Sequence, residues 1–369
     1  MMCRALTLII AAGGKSRRMG CDKRLLMLGE ETMLERVLRR GRAAGFRKII
    51  LAVEAESSPL RPLAEKYGAQ FVCDAVRAQG PVSALSAGLA AAETEWSLVL
   101  SIDLPFFDFS FVQDLLAWTS GVQAVVPRVG DGAEPLAALY RKDASVTFAA
   151  ALARGERRLQ AILAELPVRY VLCEARAAFF NVNTPAAYRL ACGRYANSQR
   201  AVPLLSILAP ASGTGKTTFI EQLIPALLHE GVRAAVIKSD AHGFQLDIDG
   251  KDTARFRAAG AAAVAIASPQ GWFLWQQAER RPELSDLVEK MDREGINLVL
   301  TEGRTQGELP AFFLYCGLGA PQIDARCAAV FAKERVLSWP EQEIFQYGLD
   351  DIAAAVRVTR FLMGARGDV

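Results

Sequence analysis

Two stretches of the chain share one pattern, in which a short apolar run enters a glycine-rich turn and helical periodicity follows. The first apolar run covers residues 6–12, and its turn begins at Gly13. The second run covers residues 202–209, and its turn extends to Gly215. Apolar runs of this length that end at glycine or proline are typical of buried parallel strands. The pattern therefore predicts that each half of the chain opens with a strand, a loop and a helix.

Beyond each opening, apolar runs alternate with segments of helical period. The first half has predicted strands at 48–53, 69–73, 97–102, 124–127 and 168–172, and predicted helices at 33–44, 82–93, 111–118, 144–153 and 159–166. The second half has predicted strands at 233–238, 262–267, 297–301 and 328–331, and predicted helices at 217–229, 285–294 and 351–363. Such alternation predicts α/β domains with mostly parallel sheets and helices on both faces.

A polar stretch without periodicity, residues 193–200, separates the two halves. We predict domains at 1–193 and 202–369, joined by a linker at 194–201. The residue spacing differs between the two glycine-rich turns, which favours a fusion of two different domains over an internal repeat.

Composition and charge exclude several classes of protein. The chain has 369 residues, of which 51% are hydrophobic, and its formal net charge is only +3, so bulk charge predicts neither nucleic-acid nor membrane-surface binding. The seven cysteines form no Cys-x-x-Cys pair, and the two histidines leave little material for a histidine metal site or a Ser-His triad. Because the sequence has neither a signal-peptide pattern nor a membrane-length apolar run, we expect a reduced, soluble, cytoplasmic protein.

The N-terminal turn has the residue types that bind phosphate. Gly13 and Gly14 allow backbone N–H groups to approach an anion, while Arg17, Arg18 and Lys23 supply positive charge. The turn follows a strand, where α/β sheets bind their ligands. The alternative is an ordinary turn between strand and helix with solvated basic side chains. The spacing does not match the dinucleotide-binding Gly-x-Gly-x-x-Gly fingerprint.

A carboxylate follows another predicted strand, at Asp103. Carboxylate oxygens at the end of a strand suit Mg²⁺, which takes a few protein oxygens together with nucleotide phosphates. The alternative is that Asp103 caps the next helix. Asp74 occupies the same position after the strand at 69–73 and has the same two interpretations.

These features occur in the order found in a known family. The pattern Ala-Gly-Gly-x-Ser-x-Arg-Met-Gly-x-Asp-Lys is matched residue for residue from Ala12 to Lys23. Further matches follow at Asp74, Gly80-Pro81, Asp103-x-Pro105, Glu134-Pro135-Leu136, Gly155-Glu156-Arg157-Arg158 and Asn181-Val182-Asn183-Thr184-Pro185. Over residues 4–190 the chain resembles the molybdenum cofactor guanylyltransferases, the MobA family. The resemblance implies a Rossmann-like nucleotidyltransferase fold.

The resemblance also implies a reaction, in which a terminal phosphate of molybdopterin attacks the α-phosphate of GTP and expels pyrophosphate. Lys23 and Asp103 are then the expected catalytic residues, with Mg²⁺ on Asp103. The expected nucleotide-binding residues are Ala11, Ala12, Gly13, Gly14, Lys23, Asp74 and Asp103. The expected pterin-side residues are Arg18, Arg157, Arg158, Asn181 and Asn183. Ala11 stands where the family has leucine, and related cytidylyltransferases have a smaller residue in that region. We expect GTP, with CTP as the alternative.

The second glycine-rich turn contains most of a P-loop, in which backbone N–H groups surround phosphates, lysine reaches the β- and γ-oxygens and threonine binds Mg²⁺. Pro210 replaces the first glycine of that motif and has no N–H to donate. The expected second nucleotide site consists of Ser212, Gly213, Thr214, Gly215, Lys216, Thr217, Thr218 and Glu302. The alternatives are a glycine turn that opens a helix and, for Glu302, a helix cap or surface turn.

Residues 202–305 resemble MobB, the GTP-binding partner of that transferase. The matching residues include Val236-Ile237-Lys238-x-Asp240-x-His242-Gly243, Gly250-Lys251-Asp252-Thr253-x-Arg255 and Leu298-Val299-Leu300-Thr301-Glu302-Gly303. The resemblance implies a P-loop NTPase-like domain that acts as a GTP-binding adapter. His242 is either a ligand or an ordinary loop histidine. The aromatic run at 272–275 is expected in the core, with a partner surface as the alternative.

The sequence thus predicts a fused enzyme that makes molybdopterin guanine dinucleotide from GTP and molybdopterin cofactor. We also expect a homodimer through the C-terminal half and contacts with molybdoenzymes or molybdopterin-handling proteins. The alternatives are cytidylyl transfer to the same pterin, nucleotidyl transfer to a sugar phosphate, and a GTP-dependent carrier of the molybdenum cofactor without catalysis.

Overall fold

The computed structural model describes residues 2–12, 22–53, 59–73, 81–174, 176–211, 213–239, 252–269, 271–277, 282–292, 295–303, 310–317, 323–336 and 343–364. The predicted site residues Gly13, Gly14, Arg18, Asp74, Ser212 and His242 lie outside these ranges. Among the described residues, no helix is long and apolar enough to cross a membrane.

The N-terminal half contains a twisted sheet whose central strands are buried on both faces. Its strands are β1 Thr7–Ala11, β4 Lys48–Val53, β5 Gln70–Cys73, β6 Trp96–Ser101, β7 Ala124–Val129, β8 Gly132–Ala133, β9 Ala137–Arg141 and β10 Val168–Leu172, and a separate hairpin pairs β2 Met27–Leu28 with β3 Glu31–Thr32. The sheet order is β10-β7-β9-β6-β1-β4-β5. All these neighbours pair in parallel except β9, which runs antiparallel between β6 and β7. Every residue of β1 is buried, which explains its continuous apolar run.

Helices cover both faces of this sheet. They are α1 Met33–Ala43, α2 Arg61–Lys66, α3 Pro81–Ala91, α4 Val112–Leu116, α5 Ala144–Ala153, α6 Leu159–Leu163 and α7 Pro185–Ser198. Thr32 and Glu35 form a capping box that starts α1, so the chain turns directly from β3 into the helix. Helices α1 and α4 contribute to the apolar cluster on one face, whereas α3, α5 and α6 contribute to the cluster on the other.

The C-terminal half has a second, entirely parallel sheet in the order β12-β15-β11-β16-β17-β18. The strands are β11 Leu204–Leu208, β12 Ala234–Lys238, β15 Leu298–Glu302, β16 Ala311–Tyr315, β17 Cys327–Ala332 and β18 Gln346–Gly348. The helices are α8 Lys216–His229, α9 Asp252–Ala258, α10 Leu284–Asp292 and α11 Ile352–Leu362. An antiparallel hairpin, β13 Ala263–Ser268 with β14 Gly271–Gln276, forms a sheet of its own.

One apolar cluster contains residues from both halves, and we call it the shared core. Leu28, Met33, Phe106 and Val182 of the first half lie in this cluster. The members from the second half include Leu205, Phe219, Phe312, Phe331 and Phe361. Each large side chain that is fully buried stabilises the folded state by about 1.5–3 kcal/mol. The shared core therefore joins the two halves by more than the covalent chain.

Helix α7 lies at the centre of the shared core. It packs against β17 and α11 of the second half and against β2 of the first. A Cβ atom at Gly193 would lie 2.8 Å from Pro310 and 2.9 Å from Leu362, so only glycine permits this approach. Residues 194–198 of the predicted linker at 194–201 are helical, because α7 continues to Ser198, and part of this helix is buried. Polar side chains that suggested a linker, such as Arg194 and Asn197, instead contact residues of the second half.

Most predicted elements are confirmed, with bounds that shift by a few residues. Among the described elements, seven strands and three helices were missed. The strands are the short β2, β3, β8 and β18, the antiparallel β9 and β14, and β16, and the helices are α2, α7 and α9. The core placement is wrong for Phe273 and Leu274, which are 39% and 44% exposed. Trp275 is half-buried, with the guanidinium of Arg257 on α9 lying 4.6 Å from the centre of its ring.

Asn197 provides a test of the contact between α7 and the second half, because its buried side chain forms hydrogen bonds with three backbone groups of that half. Its Nδ2 donates to the carbonyls of Leu204 (3.0 Å) and Leu362 (3.2 Å), and its Oδ1 accepts from the N–H of Leu204 (3.0 Å). We expect Asn197→Ala to lower the free energy of unfolding by about 2–4 kcal/mol, since buried backbone groups would lose their partners. Urea denaturation followed by circular dichroism measures this change. The exposed neighbour provides a matched control, Ser198→Ala, and equal losses in both variants would contradict the assignment.

Candidate functional site

The first group of predicted site residues gathers at the carboxyl edge of the N-terminal sheet. Strands β1 and β6 are neighbours, and Ala11 pairs with Ser101 in their register. The loop that leaves β1 and the turn that leaves β6 toward Asp103 therefore emerge side by side. Ala11 and Ala12 are buried, and the N–H of Ala12 donates to the carbonyl of Ala52 at 2.9 Å. These contacts fix the strand end from which the predicted phosphate loop departs.

Lys23, Asp103, Asn181 and Asn183 form one connected cluster. Lys23 Nζ lies 3.8 Å from Asp103 Oδ2 and donates to Asn183 Oδ1, while Asn183 Nδ2 donates to Asn181 Oδ1. The N–H of Val182 donates to the backbone carbonyl of Asp103 at 2.8 Å, which attaches the asparagine segment to the end of β6. The side chains of Lys23 and Asp103 are only 15% and 17% exposed, so their charges are weakly screened by water. The structure thus brings together residues from three distant segments.

Asp103 is not a helix cap, which excludes the alternative considered from the sequence. The next helical turn, Phe109–Phe111, is capped by Asp108. Asp103 Oδ1 is instead buried and has no hydrogen-bond partner among the residues that the structure describes. An orphaned carboxylate oxygen of this kind is costly unless a ligand, such as a metal ion, satisfies it.

Glu134 is a second carboxylate beside Asp103, and the sequence analysis quoted it in a motif without giving it a role. Burial, and then the charge of Asp103, raise the pKa of Glu134 above its usual range. Two neighbouring carboxylates that repel each other fit a divalent cation, which binds a few protein oxygens. The position of Glu134, just before a strand, gave no sequence signal because β9 itself was not predicted.

Arg157 and Arg158 do not join this cluster among the contacts of the described residues. Both are exposed, and Arg158 forms an ion pair with Glu156 at 3.0 Å. Hydrogen bonds from the Arg158 side chain and backbone hold the pKa of Glu156 at about 2. The pair stays on the surface between α5 and α6, and its predicted role toward the pterin remains a prediction.

The second group of predicted residues forms a loop between β11 and α8. Gly213 and Gly215 have φ values of 76° and 89°, which only glycine adopts without strain. Thr214 is buried and donates to the carbonyl of Ala211 at 2.7 Å, whereas Thr218 is exposed. Lys216 Nζ donates to the same carbonyl at 3.4 Å. The loop therefore wraps back on itself with its lysine at the start of α8, as a P-loop does.

Glu302 lies beside this loop at the end of β15. It faces Ile207 of β11 in the strand register, and a buried hydrogen bond of 3.0 Å between Thr301 and Ser206 fixes that register. Thr217 Oγ1 donates to Glu302 Oε1 at 3.2 Å, and Lys238 Nζ lies 4.0 Å from Glu302 Oε2. Hydroxyl and carboxylate oxygens this close are suitable ligands for Mg²⁺. Glu302 is thus an acidic residue of the loop site, not a helix cap or a surface turn.

The two loops belong to different sheets, and Lys216 begins α8 after β11. Within the part of the chain that the structure describes, no group of three or more His, Cys, Asp or Glu residues is arranged to hold a metal ion. In proteins, Mg²⁺ is usually bound by one or two carboxylates together with substrate phosphates and water.

In comparisons with known proteins, the two halves of the chain match two different families. Residues 8–170 match the MobA-like NTP transferase domain, and residues 204–320 match molybdopterin guanine dinucleotide synthesis protein B. The probable molybdenum cofactor guanylyltransferase of Opitutus terrae is 37% identical over 165 residues, which are 44% of this chain and 79% of the relative. The molybdopterin-guanine dinucleotide biosynthesis adapter protein of Haemophilus influenzae is 37% identical over 132 residues, which are 35% of this chain and 74% of the relative.

A solved structure, molybdopterin-guanine dinucleotide biosynthesis protein A of Archaeoglobus fulgidus, is 26% identical with a TM-score of 0.44, and the match covers 50% of this chain and 96% of that one. The matches cover 79% and 74% of these two sequence relatives. The chain therefore belongs to two families, with its first half a molybdenum cofactor guanylyltransferase and its second half a molybdopterin-guanine dinucleotide biosynthesis adapter protein.

Proposed function

We propose that the chain transfers GMP from GTP to molybdopterin cofactor and forms molybdopterin guanine dinucleotide. An oxygen of the pterin's terminal phosphate forms a bond to the α-phosphorus of GTP, the bond between the α-phosphorus and the bridging oxygen breaks, and pyrophosphate leaves with that electron pair. The observation that carries the proposal is the cluster of Lys23, Asp103 and Asn183 beside the loop that leaves β1. Transfer of this kind depends on positioning and on neutralising charge more than on a nucleophilic side chain.

Each member of the cluster has a distinct role in this proposal. Lys23 neutralises negative charge that develops on the phosphates, because its side chain is largely buried and its ammonium group lies beside Asp103. Asp103 and Glu134 supply oxygens for Mg²⁺, and the unsatisfied Asp103 Oδ1 supports that assignment. When bound, Mg²⁺ would screen the phosphate charge. The asparagine pair holds Lys23 in position and orients donors and acceptors toward the pterin.

The remaining predicted residues keep their roles as proposals. Gly13, Gly14 and Asp74 would contact the nucleotide. Arg18, Arg157 and Arg158 would face the pterin phosphate. The second half would bind GTP at its P-loop, with Thr217 and Glu302 as Mg²⁺ ligands, and would deliver the product to molybdoenzymes or molybdopterin-handling proteins in the cytoplasm.

Incubation of the full chain with molybdopterin cofactor, Mg²⁺ and each nucleoside triphosphate tests the function. We expect GTP to give the guanine dinucleotide, identified by mass, in preference to CTP. Mainly cytosine dinucleotide would show that Ala11 marks a cytidylyltransferase. GTP binding without any dinucleotide would favour the non-catalytic carrier.

The same assay tests the two proposed catalytic residues. Asp103→Asn and Lys23→Ala should each reduce transfer by roughly 10²-fold or more, because each removes a charge that acts on developing phosphate charge. The opposite edge of the sheet offers matched controls, Asp143→Asn and Lys48→Ala, which should retain activity. Wild-type turnover in Asp103→Asn and Lys23→Ala would remove this assignment.

A second test concerns the separation of the two nucleotide sites. Calorimetry on the full chain with Lys23→Ala isolates GTP binding by the second half. There, Lys216→Ala should weaken binding about 10- to 150-fold, because losing a charge-assisted phosphate contact costs about 1.5–3 kcal/mol. Lys290→Ala provides a control, because Lys290 is exposed on α10. With Lys23 intact, Lys216→Ala should leave transfer nearly unchanged at saturating substrates, and a loss of transfer would mean that the halves share one site.

The exposed apolar side chains of the hairpin β13–β14 support a homodimer through the C-terminal half. Ile266 and Phe273 are paired across the hairpin and are 48% and 39% exposed, and Leu274 beside them is also exposed. An isolated two-stranded sheet is marginally stable in water, and an exposed apolar edge tends to pair with another chain. We propose that a second copy of the chain covers this hairpin.

Analytical ultracentrifugation measures that association. The double substitution Ile266→Asp and Phe273→Asp should weaken the dimer by at least about tenfold, because it adds four charges to a symmetric apolar contact. Val146 on α5 is 71% exposed and serves as a matched control through Val146→Asp, which should leave the dimer intact. A wild-type chain that sediments as a monomer at every concentration would contradict the proposal.

A further inference from the structure

A groove of about 840 Å³ lies between the two halves, away from both nucleotide sites. The first half contributes the turn at Gly29 and Glu30 between β2 and β3, and the second half contributes Pro310 and the segment at Ala325 and Arg326. One face of α7 and the residues that follow it form the floor. The volume is in the range that accommodates a small-molecule ligand. We call this feature the junction groove.

Three arginines and one glutamate, Arg189, Arg200, Arg326 and Glu30, line the junction groove. Protein contacts hold all three guanidinium groups in place. Arg189 Nη1 donates to the carbonyl of Asp324 at 2.7 Å, and Arg326 Nε donates to the Asp324 carboxylate at 2.9 Å. Arg200 Nη1 donates to Asn197 Oδ1 at 3.1 Å. Arg326 also donates its Nη2 to the Asp324 carboxylate, and the cations of the groove come from segments that only the fold brings together.

Arg189 has one donor that the described residues do not satisfy. Its Nε is buried and has no hydrogen-bond partner among them, although its Nη1 is bound. Leaving a donor of a charged group buried and unpaired is costly, because the group has lost its contact with water. The described residues therefore use only part of the hydrogen-bonding capacity of this guanidinium group.

The wall behind the groove adds a rigid aromatic ring and more positive charge. A Cβ at Gly29 would lie 2.0 Å from the ring of Tyr195, so the turn and the ring are packed directly on each other. The guanidinium of Arg36 lies 5.0 Å from the centre of that ring. Arg194 lies nearby, with its guanidinium 4.7 Å from the ring centre of Phe106 and 4.5 Å from that of Phe361. Its Nη1 is also buried and has no hydrogen-bond partner in the described part of the chain. Burial, and then the charges of Arg40 and Arg36, lower the pKa of Arg194 to about 10.

We propose that the junction groove binds a phosphate-bearing anion, held by Arg189, Arg200 and Arg326, at a site separate from both nucleotide sites. Guanidinium groups in fixed positions recognise phosphate oxygens by paired, charge-assisted hydrogen bonds. The ligand contacts both halves, so it stabilises their relative arrangement. Tyr195 offers a surface on which a planar group of the ligand would stack.

Arginine modification by phenylglyoxal, mapped residue by residue by mass spectrometry, tests the proposal on the full chain. The chain should carry Lys216→Ala, which reduces phosphate binding at the P-loop. Inorganic phosphate should slow modification of Arg189 about tenfold at ten times its dissociation constant, relative to chloride at the same ionic strength. Arg169, exposed on β10, should react at the same rate in both salts.

Two variants of the chain locate the site, and a comparison of GMP with phosphate identifies the ligand. Arg200→Gln should abolish the protection of Arg189 by phosphate, and Arg326→Gln provides a second variant should the first fail to fold. GMP that protects at lower concentration than phosphate would identify a nucleotide stacked on Tyr195, whereas equal protection would identify phosphate alone as the recognised group. Equal modification rates of Arg189 in phosphate and chloride, or protection that persists in both variants, would overturn the proposal.

Discussion

The burial of α7 and its neighbours in one apolar cluster is the constraint on which the rest of the structure depends. Phe106 follows Asp103 by three residues, Val182 lies between Asn181 and Asn183, and both are in the shared core. Phe361 of the second half contacts Phe106 with ring centres 6.1 Å apart. The turns that carry the proposed transferase residues are therefore anchored from beneath by the second half. Displacing that half would expose these apolar side chains to water.

The chemistry of both halves comes from the same property of parallel sheets, which is that strand ends meet at one edge. In the first half, the adjacency of β1 and β6 places the loop after Ala11 next to Asp103. In the second half, the adjacency of β11 and β15 places the P-loop next to Glu302. Each sheet thus aligns a loop suited to phosphate with a carboxylate suited to Mg²⁺. The two halves use one geometric solution with unrelated loop sequences.

Sequence reasoning placed Asp103 and Glu302 at the ends of apolar strands, and the structure has both residues there, beside the loops that leave β1 and β11. It could not find Glu134 as a partner of Asp103, because the two become neighbours only through the antiparallel strand β9. It also misjudged Phe273 and Leu274. Aromatic content favours burial, but burial requires a covering layer, and these two side chains are exposed although α9 contacts the hairpin.

By itself, the sequence determined the fold class, most of the strands and helices, and the loops that suit phosphate, because these depend on local periodicity and on residue types at short spacing. The tertiary structure alone decided that residues 194–198 extend a helix into the shared core. It also decided that arginines from distant segments meet in the junction groove. The reason is physical: a polar segment has the same local pattern whether it is solvated or fixed by partners far away in the chain. Only packing determines which partners it meets.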